Sequence, residues 1–316
     1  MNIPDLRQLA HDTRSMREAG IALLVASGIL ALFLLIPSVP IEQSVSDSIT
    51  IENSVAPDAF AHVPLEAQAA IVYDLATGET LYEKNADAQL PLASLTKLLT
   101  VYGALTVLSP DTLITIHKSA ASSEGPRTFS VGQTFSLFDL ARLTLTASLN
   151  DGAVAIGDAA VERGNSTQID LLASAVSSLG LSQTYAVNSS GLDMNTAVSG
   201  AYGSARDFAR VAGALVEIAP AIAAATTKLS AEAVSVGGTS FSVKNTNQLV
   251  ETIPGLLLSK TGYTDLAGGN LAIVFDAGMG HPIAIVVLGS SQKARFTDGA
   301  TLLAATLTHF ANSVSL

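Results

Sequence analysis

Ser94-Leu95-Thr96-Lys97, Ser148-Leu149-Asn150 and Lys260-Thr261-Gly262 stand in that order along the chain, and together they decide how the rest is read. Each is weak alone: a second S-x-x-K occurs at Ser290-Ser291-Gln292-Lys293 without comparable surroundings. The ordered set supplies a nucleophile, a base, a proton relay and a cationic strand that can hold a carboxylate. A serine hydroxyl attacks poorly until a base removes its proton, and a lysine three residues further along a helix lies beside it on the same face. To act, Lys97 must be neutral, so its pKa has to fall from ~10.4 toward about 7 to 8. Burial and a nearby cation such as Lys260 would both push it down. Read singly, Ser94 could be only a helix N-cap and Lys97 a snorkelling surface cation.

The surrounding sequence extends this reading. Leu95, Leu98, Leu99 and Tyr102 follow helical spacing while Val101, Ala104, Leu105 and Leu108 fill the other side, which predicts a helix buried nearly all round. Ser148-Leu149-Asn150-Asp151-Gly152 falls between two helical patterns, where a connection either presents side chains to a cleft or simply caps a helix. Lys260-Thr261-Gly262 ends the apolar run Leu256-Leu257-Leu258-Ser259-Lys260; its glycine would let a substrate backbone approach, and its Lys and Thr can bind a carboxylate. Ala69–Tyr73 and Thr80–Tyr82 flank Thr77-Gly78-Glu79 as a hairpin. Leu256–Lys260, Leu271–Phe275 and Ile283–Val287, separated by Gly-rich turns, predict an antiparallel meander. Leu302, Leu303, Ala305, Leu307 and Phe310 predict a closing helix, and the Ala- and Leu-rich middle, about 136 to 226, reads as a helical subdomain. The class that follows is α+β, a central antiparallel sheet flanked by helices.

The 316 residues carry a formal charge of -11, with a pI near 4.8, which leaves no basic surface for nucleic acid or anionic lipid. Cysteine is absent, excluding disulfides and thiolate metal sites. His11, His62, His117, His281 and His309 lack metal-ligand spacing, so neither a zinc hydrolase nor any cofactor is expected. Residues 19–39 form an uncharged, largely apolar run long enough to cross a bilayer as a helix. Arg7, Arg14 and Arg17 precede it and the next basic residue is Lys84, so the N-terminus is expected in the cytoplasm. The expected order is a cytoplasmic tail 1–18, a transmembrane helix 19–39, an extracytoplasmic linker 40–62 and a catalytic domain 63–316. A cleaved signal peptide competes, but the tempting Ala59-Phe60-Ala61 lies too far downstream of the apolar run.

Residues from about 63 to 316 resemble the serine-type D-alanyl-D-alanine carboxypeptidases, low-molecular-mass penicillin-binding proteins related to class A β-lactamases. Asn188-Ser189-Ser190-Gly191-Leu192, Ser204-Ala205-Arg206-Asp207, Asn245-Thr246-Asn247 and Ala294-Arg295-Phe296 look like further family segments in the family's order. The resemblance implies a β-lactamase/DD-peptidase-like fold and acyl transfer on a peptidoglycan stem peptide ending in D-Ala-D-Ala, with β-lactam antibiotics as covalent inhibitors. It implies Ser94 as nucleophile, Lys97 as base, Ser148 as relay, Asn150 orienting the substrate amide and Lys97, and Lys260 as a source of positive potential. Thr261 and Arg295 would bind the terminal carboxylate, and Gly262 and Tyr263 complete the substrate strand, the Tyr263 N–H joining that of Ser94 in an oxyanion hole. Gly152 departs from the family's usual alanine. A counterpart of the C-terminal β domain and membrane-binding helix of many relatives is not expected, and the N-terminal apolar run would serve as the tether.

A class A-like β-lactamase, a DD-endopeptidase and an inactive cell-wall-binding homologue are the alternatives. In class A β-lactamases an additional glutamate activates the deacylating water. Between Asn150 and Lys260 the glutamates are Glu162, Glu217, Glu232 and Glu251, none in a segment resembling that loop. A long-lived penicilloyl-enzyme is therefore expected.

Overall fold

The computed structural model describes residues 58–314, so the expected tail, membrane helix and most of the linker lie outside the described residues. Among those described, no helix is long and apolar enough to cross a membrane. Five strands, β1 (Ala69–Asp74), β2 (Thr80–Lys84), β3 (Leu256–Thr264), β4 (Gly268–Asp276) and β5 (Pro282–Ser290), form one antiparallel sheet in the order β3-β4-β5-β1-β2. The β1–β2 hairpin turns where expected: Asp74 accepts hydrogen bonds from the N–H groups of Ala76 and Thr77, and Gly78 takes φ +78°.

Side chains on a strand alternate between faces, and here both faces are covered, so the strands read as unbroken apolar runs. Ala69, Ile71, Leu258, Ala272, Val274, Ala284, Val286 and Leu288 pack on one side with the helices of the middle of the chain. Ala70, Val72, Ile273, Phe275, Ile283 and Ile285 pack on the other against Leu302, Leu303 and Ala305 of the closing helix. Phe60, inside the stretch read as linker, is also buried there, 5.7 Å from Tyr82 and 5.8 Å from His309 between ring centroids.

The longer helices are α1 (Thr96–Val107), α2 (Leu137–Ala147), α3 (Asn150–Gly164), α4 (Gln168–Ser178), α5 (Ala205–Ile218) and α6 (Ala294–Val314). As its all-round apolar pattern predicts, α1 is central, packed by α2, α3, α4 and α5. The helical subdomain is narrower than expected. While α2 to α4 gather around α1, α5 touches α1 and also lies on the sheet against β1 and β5, because Phe208, Val211, Ala212 and Leu215 make one buried stripe that a sheet face can cover. Just beyond this middle region stands a hairpin, Ser230–Val234 with Ser240–Lys244, that was not anticipated.

The meander strands run one to four residues past their expected ends, since the glycines read as turns lie inside them. Gly269 is there because a Cβ would strike the Ser291 carbonyl. The second S-x-x-K also has a structural explanation. Ser290, buried at the end of β5, donates to Asp298 at 2.7 Å, and the Asp298 carboxylate also accepts from the N–H groups of Glu66 and Ala67.

Candidate active site

The turn that carries Ser94 is a single 3-10 turn, Ala93–Leu95, leading straight into α1. Its backbone is strained: Ala93 has φ +48°, a region that costs a residue with a Cβ on the order of 1 kcal/mol. Two glycines make room for it. Gly191, at φ +76°, lies so close that a Cβ would collide with the Ala93 carbonyl, and a Cβ on Gly262 would stand 3.0 Å from the Leu92 carbonyl and 3.3 Å from the Ser94 nitrogen. Gly262 therefore admits the chain's own turn as well as leaving room for a substrate backbone. It lies within β3, the edge strand of the sheet, rather than at a strand end.

Lys97 Nζ donates to Ser94 Oγ at 2.7 Å and to the carbonyl of Ser190 at 2.8 Å. Lys260 Nζ donates to Ser148 Oγ at 2.8 Å and to the Thr261 carbonyl at 2.6 Å. Ser148 reaches the cleft because it ends α2 in the left-handed conformation, φ 61° and ψ 39°, and only Leu149 separates it from α3. Ser94 and Ser148 are half-buried, whereas Lys97 and Lys260 retain 0% and 1% of their surface. Burial disfavours an ammonium: it brings the pKa of Lys97 down to about 7, against the upward pull of the Asp151 carboxylate. Lys260 is pushed well below 10.5, first by burial, then by the charges of Lys97 and Arg295. Burial thus leads for both lysines.

The other expected residues gather at the same edge, with differences in what they touch. Asn150 Nδ2 donates to the Glu124 carbonyl at 2.8 Å, while the bonds of Lys97 run to Ser94 and Ser190, so the expected contact between Asn150 and Lys97 is replaced by one that pins a loop. Thr261 Oγ1 donates to Thr246 Oγ1 at 2.6 Å. Arg295 is buried at 8% exposure, with its guanidinium 4.7 Å from the Phe296 ring centre; Nη1 donates to the Gly262 carbonyl at 2.6 Å and Nε has no partner among the described residues. Burial lowers the Arg295 pKa. Tyr263 is exposed and opens a groove of about 520 Å³ that continues past Leu192, Asp193, Met194 and Leu266 to Glu124.

Sequence reasoning gave no role to the Ser190 carbonyl or to Thr246. Both belong to segments already singled out, Asn188–Leu192 and Asn245–Asn247, but a backbone acceptor has no letter of its own. Asn188 Oδ1 accepts from the Ser190 and Gly191 N–H groups at 3.2 and 2.7 Å, which explains the asparagine that opens the first segment. Asn247 Nδ2 donates to Ser259 Oγ at 2.9 Å, tying the second to β3. The Gly152 departure is explained too: the Thr144 hydroxyl occupies the space where a Cβ at 152 would sit.

Fold and site together define a serine acyl-transfer enzyme of the penicillin-recognising type. Residues 53–292 match the D-alanyl-D-alanine carboxypeptidase family, and the chain belongs to that family, serine-type hydrolases acting on D-Ala-D-Ala. It is 29% identical to the D-alanyl-D-alanine carboxypeptidase DacD of Salmonella typhimurium, over 80% of this chain and 67% of that protein. It is 28% identical to a D-alanyl-D-alanine endopeptidase of Pseudomonas aeruginosa, over 81% of this chain and 83% of that one. Among solved structures it is similar to penicillin-binding protein D2 of Listeria monocytogenes in an ampicillin-bound form, with TM-score 0.66 and 30% identity over 77% of this chain and 98% of that one.

A base that binds its proton less tightly when folded costs stability at low pH. Below about pH 7 Lys97 is charged in both states and the penalty is full; between about 7 and 10.5 the unfolded state holds more protons, so stability rises with pH. The full penalty is about 5 kcal/mol. Lys97→Met should therefore be more stable than the parent at pH 7 in urea denaturation, with the gap closing toward pH 10. A gap that is absent or independent of pH would show that Lys97 is not desolvated.

Proposed function

We propose that this chain is a membrane-tethered serine DD-carboxypeptidase that removes the terminal D-alanine of peptidoglycan stem peptides through an acyl-enzyme on Ser94. The observation that carries the reading is the pairing of each serine with a buried lysine, Lys97 with Ser94 at 2.7 Å and Lys260 with Ser148 at 2.8 Å. Ser94 Oγ bonds to the carbonyl carbon of the penultimate D-alanine as its proton passes to Lys97 Nζ, which is half-neutral near pH 7. The oxyanion faces the N–H groups of Ser94 and Tyr263, where one such donor is worth ~3 to 4 kcal/mol. Collapse breaks the C–N bond; the departing amine takes a proton from the Ser148 hydroxyl, which the lysine pair replaces. Water then cleaves the ester and returns the proton to Ser94.

Thr261 directly precedes Gly262 and bonds to Thr246, and Arg295 bonds to the Gly262 carbonyl, which suits the pair to recognising a terminal carboxylate there. That carboxylate would also raise the proton affinity of Lys260, restoring its charge once substrate is bound. A β-lactam presents the same carboxylate beside a reactive carbonyl, and the ampicillin-bound Listeria relative supports its entry here. Glu162, Glu217, Glu232 and Glu251 are all exposed, on α3, on α5, on the 230–244 hairpin and on the turn at 250–252, which supports slow release of a penicilloyl group.

A fluorescent penicillin should label the chain covalently. Ser94→Ala should abolish labelling, Lys97→Arg should slow it, because a guanidinium does not serve as neutral base, and Ser290→Ala should leave it intact. The label should persist for minutes or longer while a D-Ala-D-Ala peptide turns over repeatedly; rapid multiple turnover of penicillin with no D-alanine released would favour the β-lactamase reading. Activity on a crosslinked dimer but not on the linear peptide would favour the endopeptidase.

The tether rests on the uncharged run 19–39 and its one-sided arginines. Protease added to intact spheroplasts should remove the catalytic domain, and the mature chain should begin before residue 19. A mature N-terminus downstream of residue 39, or a domain that survives protease, would contradict it.

A further inference from the structure

Asp151 follows directly on Asn150, and its carboxylate is sealed from solvent at 2% exposure. All of its visible hydrogen bonding is to backbone donors: Oδ2 accepts from the N–H groups of Thr128 at 2.8 Å and Phe129 at 3.0 Å, and Oδ1 accepts from that of Gly152 at 2.8 Å. The loop it grips is anchored beyond by the buried Phe129 ring, 5.0 Å from Phe135 and 5.5 Å from Phe241. One residue earlier, Asn150 Nδ2 takes the Glu124 carbonyl at 2.8 Å. Two consecutive side chains at the start of α3 therefore hold both ends of the segment 124–129, and Glu124 is part of the groove that Tyr263 opens. Gly152 keeps the fit close, since a Cβ there would meet Thr144 and approach the Phe129 ring.

We propose that Asp151 is a positioning residue for acylation: it clamps the 124–129 segment against α3, so that the Glu124 carbonyl fixes the Asn150 amide at the rim of the cleft, while its negative charge offsets the ammonium of Lys97 inside. The proposal rests on the reading of Lys97 as the base. Three N–H donors satisfy the buried carboxylate, which is what allows a charge to persist there without a cation in direct contact. A neutral amide at 151 could still accept from the loop through its single oxygen, but it would turn an N–H toward that of Gly152 and would supply no field. The charged groups bearing on the Lys97–Lys260 pair are Asp151 from α3, Lys260 itself from β3 and Arg295 from α6; Asp151 alone is negative, and it alone raises the proton affinity of Lys97.

The test measures the rate of acylation by a fluorescent penicillin between pH 5 and 9 for the full chain in detergent, beside Asp151→Asn and Asp151→Glu. The parent rate should rise through an acidic limb near pH 7, as Lys97 loses its proton. In Asp151→Asn that limb should move to lower pH by roughly 1 unit, because removing a negative charge weakens the hold on the Lys97 proton. Asp151→Glu keeps the charge on a longer arm, so its limb should stay while the clamp loosens. Loosening is read by trypsin, which should cut after the exposed Arg127 several-fold faster in both variants. A parent without the limb would sink the base assignment itself. A parent limb that Asp151→Asn leaves in place overturns the electrostatic part, and unchanged cleavage at Arg127 in Asp151→Glu overturns the clamp; a limb that moves equally in both variants would mean that Asp151 acts through structure alone.

Discussion

Two lysines with almost no exposed surface, Lys97 and Lys260, share one cleft, and the rest of the structure is arranged around keeping them dry and hydrogen-bonded. An ammonium without water must find oxygen or give up its proton. Each lysine here finds one serine and one carbonyl, Ser94 and Ser190 for Lys97, Ser148 and Thr261 for Lys260. That arrangement explains why α1 is apolar on all sides and central: an amphipathic helix would have offered Lys97 a wet face and an ordinary pKa. It also sets the position of four separate parts of the chain, since each oxygen arrives from a different segment.

The cost is carried in the backbone. Ala93 is held at φ +48° beside the nucleophile, and only Gly191 and Gly262 let the neighbouring chains come close enough to hold it. Stored strain next to a reacting atom persists where surrounding contacts over-determine it, and β3, α1 and the 188–192 turn converge there. Ser148 is likewise left-handed, at φ 61°, where α2 stops and α3 begins. Both serines thus stand at helix boundaries, where a side chain can project into a cleft while its neighbours remain packed in the core.

Much of this was legible in the chain. The three motifs named side chains that the fold brings into one cleft, because lysine and serine have few other reasons to occur together on an apolar helix and an apolar strand, and the short apolar runs at 69–73, 256–260, 271–275 and 283–287, separated by turn residues, pointed to a sheet. What stayed hidden follows from physics that single letters do not carry. Glycines inside β3 and β4 looked like turns because close approach of another strand is a long-range fact. The position of α5 depended on which of two apolar surfaces would cover its stripe. The second acceptor for Lys97, at Ser190, is a carbonyl, which every residue possesses. Asp151 looked like part of a helix cap, and only the fold brings Thr128 and Phe129 to it from more than twenty residues away.

The central claim is that burial brings Lys97 to the threshold of losing its proton in the resting enzyme. With only seven lysines in the chain, the ε-carbon resonances of a selectively labelled sample can be followed singly by NMR from pH 5 to 11, with Lys97→Met assigning the signal. The account predicts that the Lys97 resonance titrates at about 7. A Lys97 signal that titrates near the ordinary ~10.4 of an exposed lysine would contradict it.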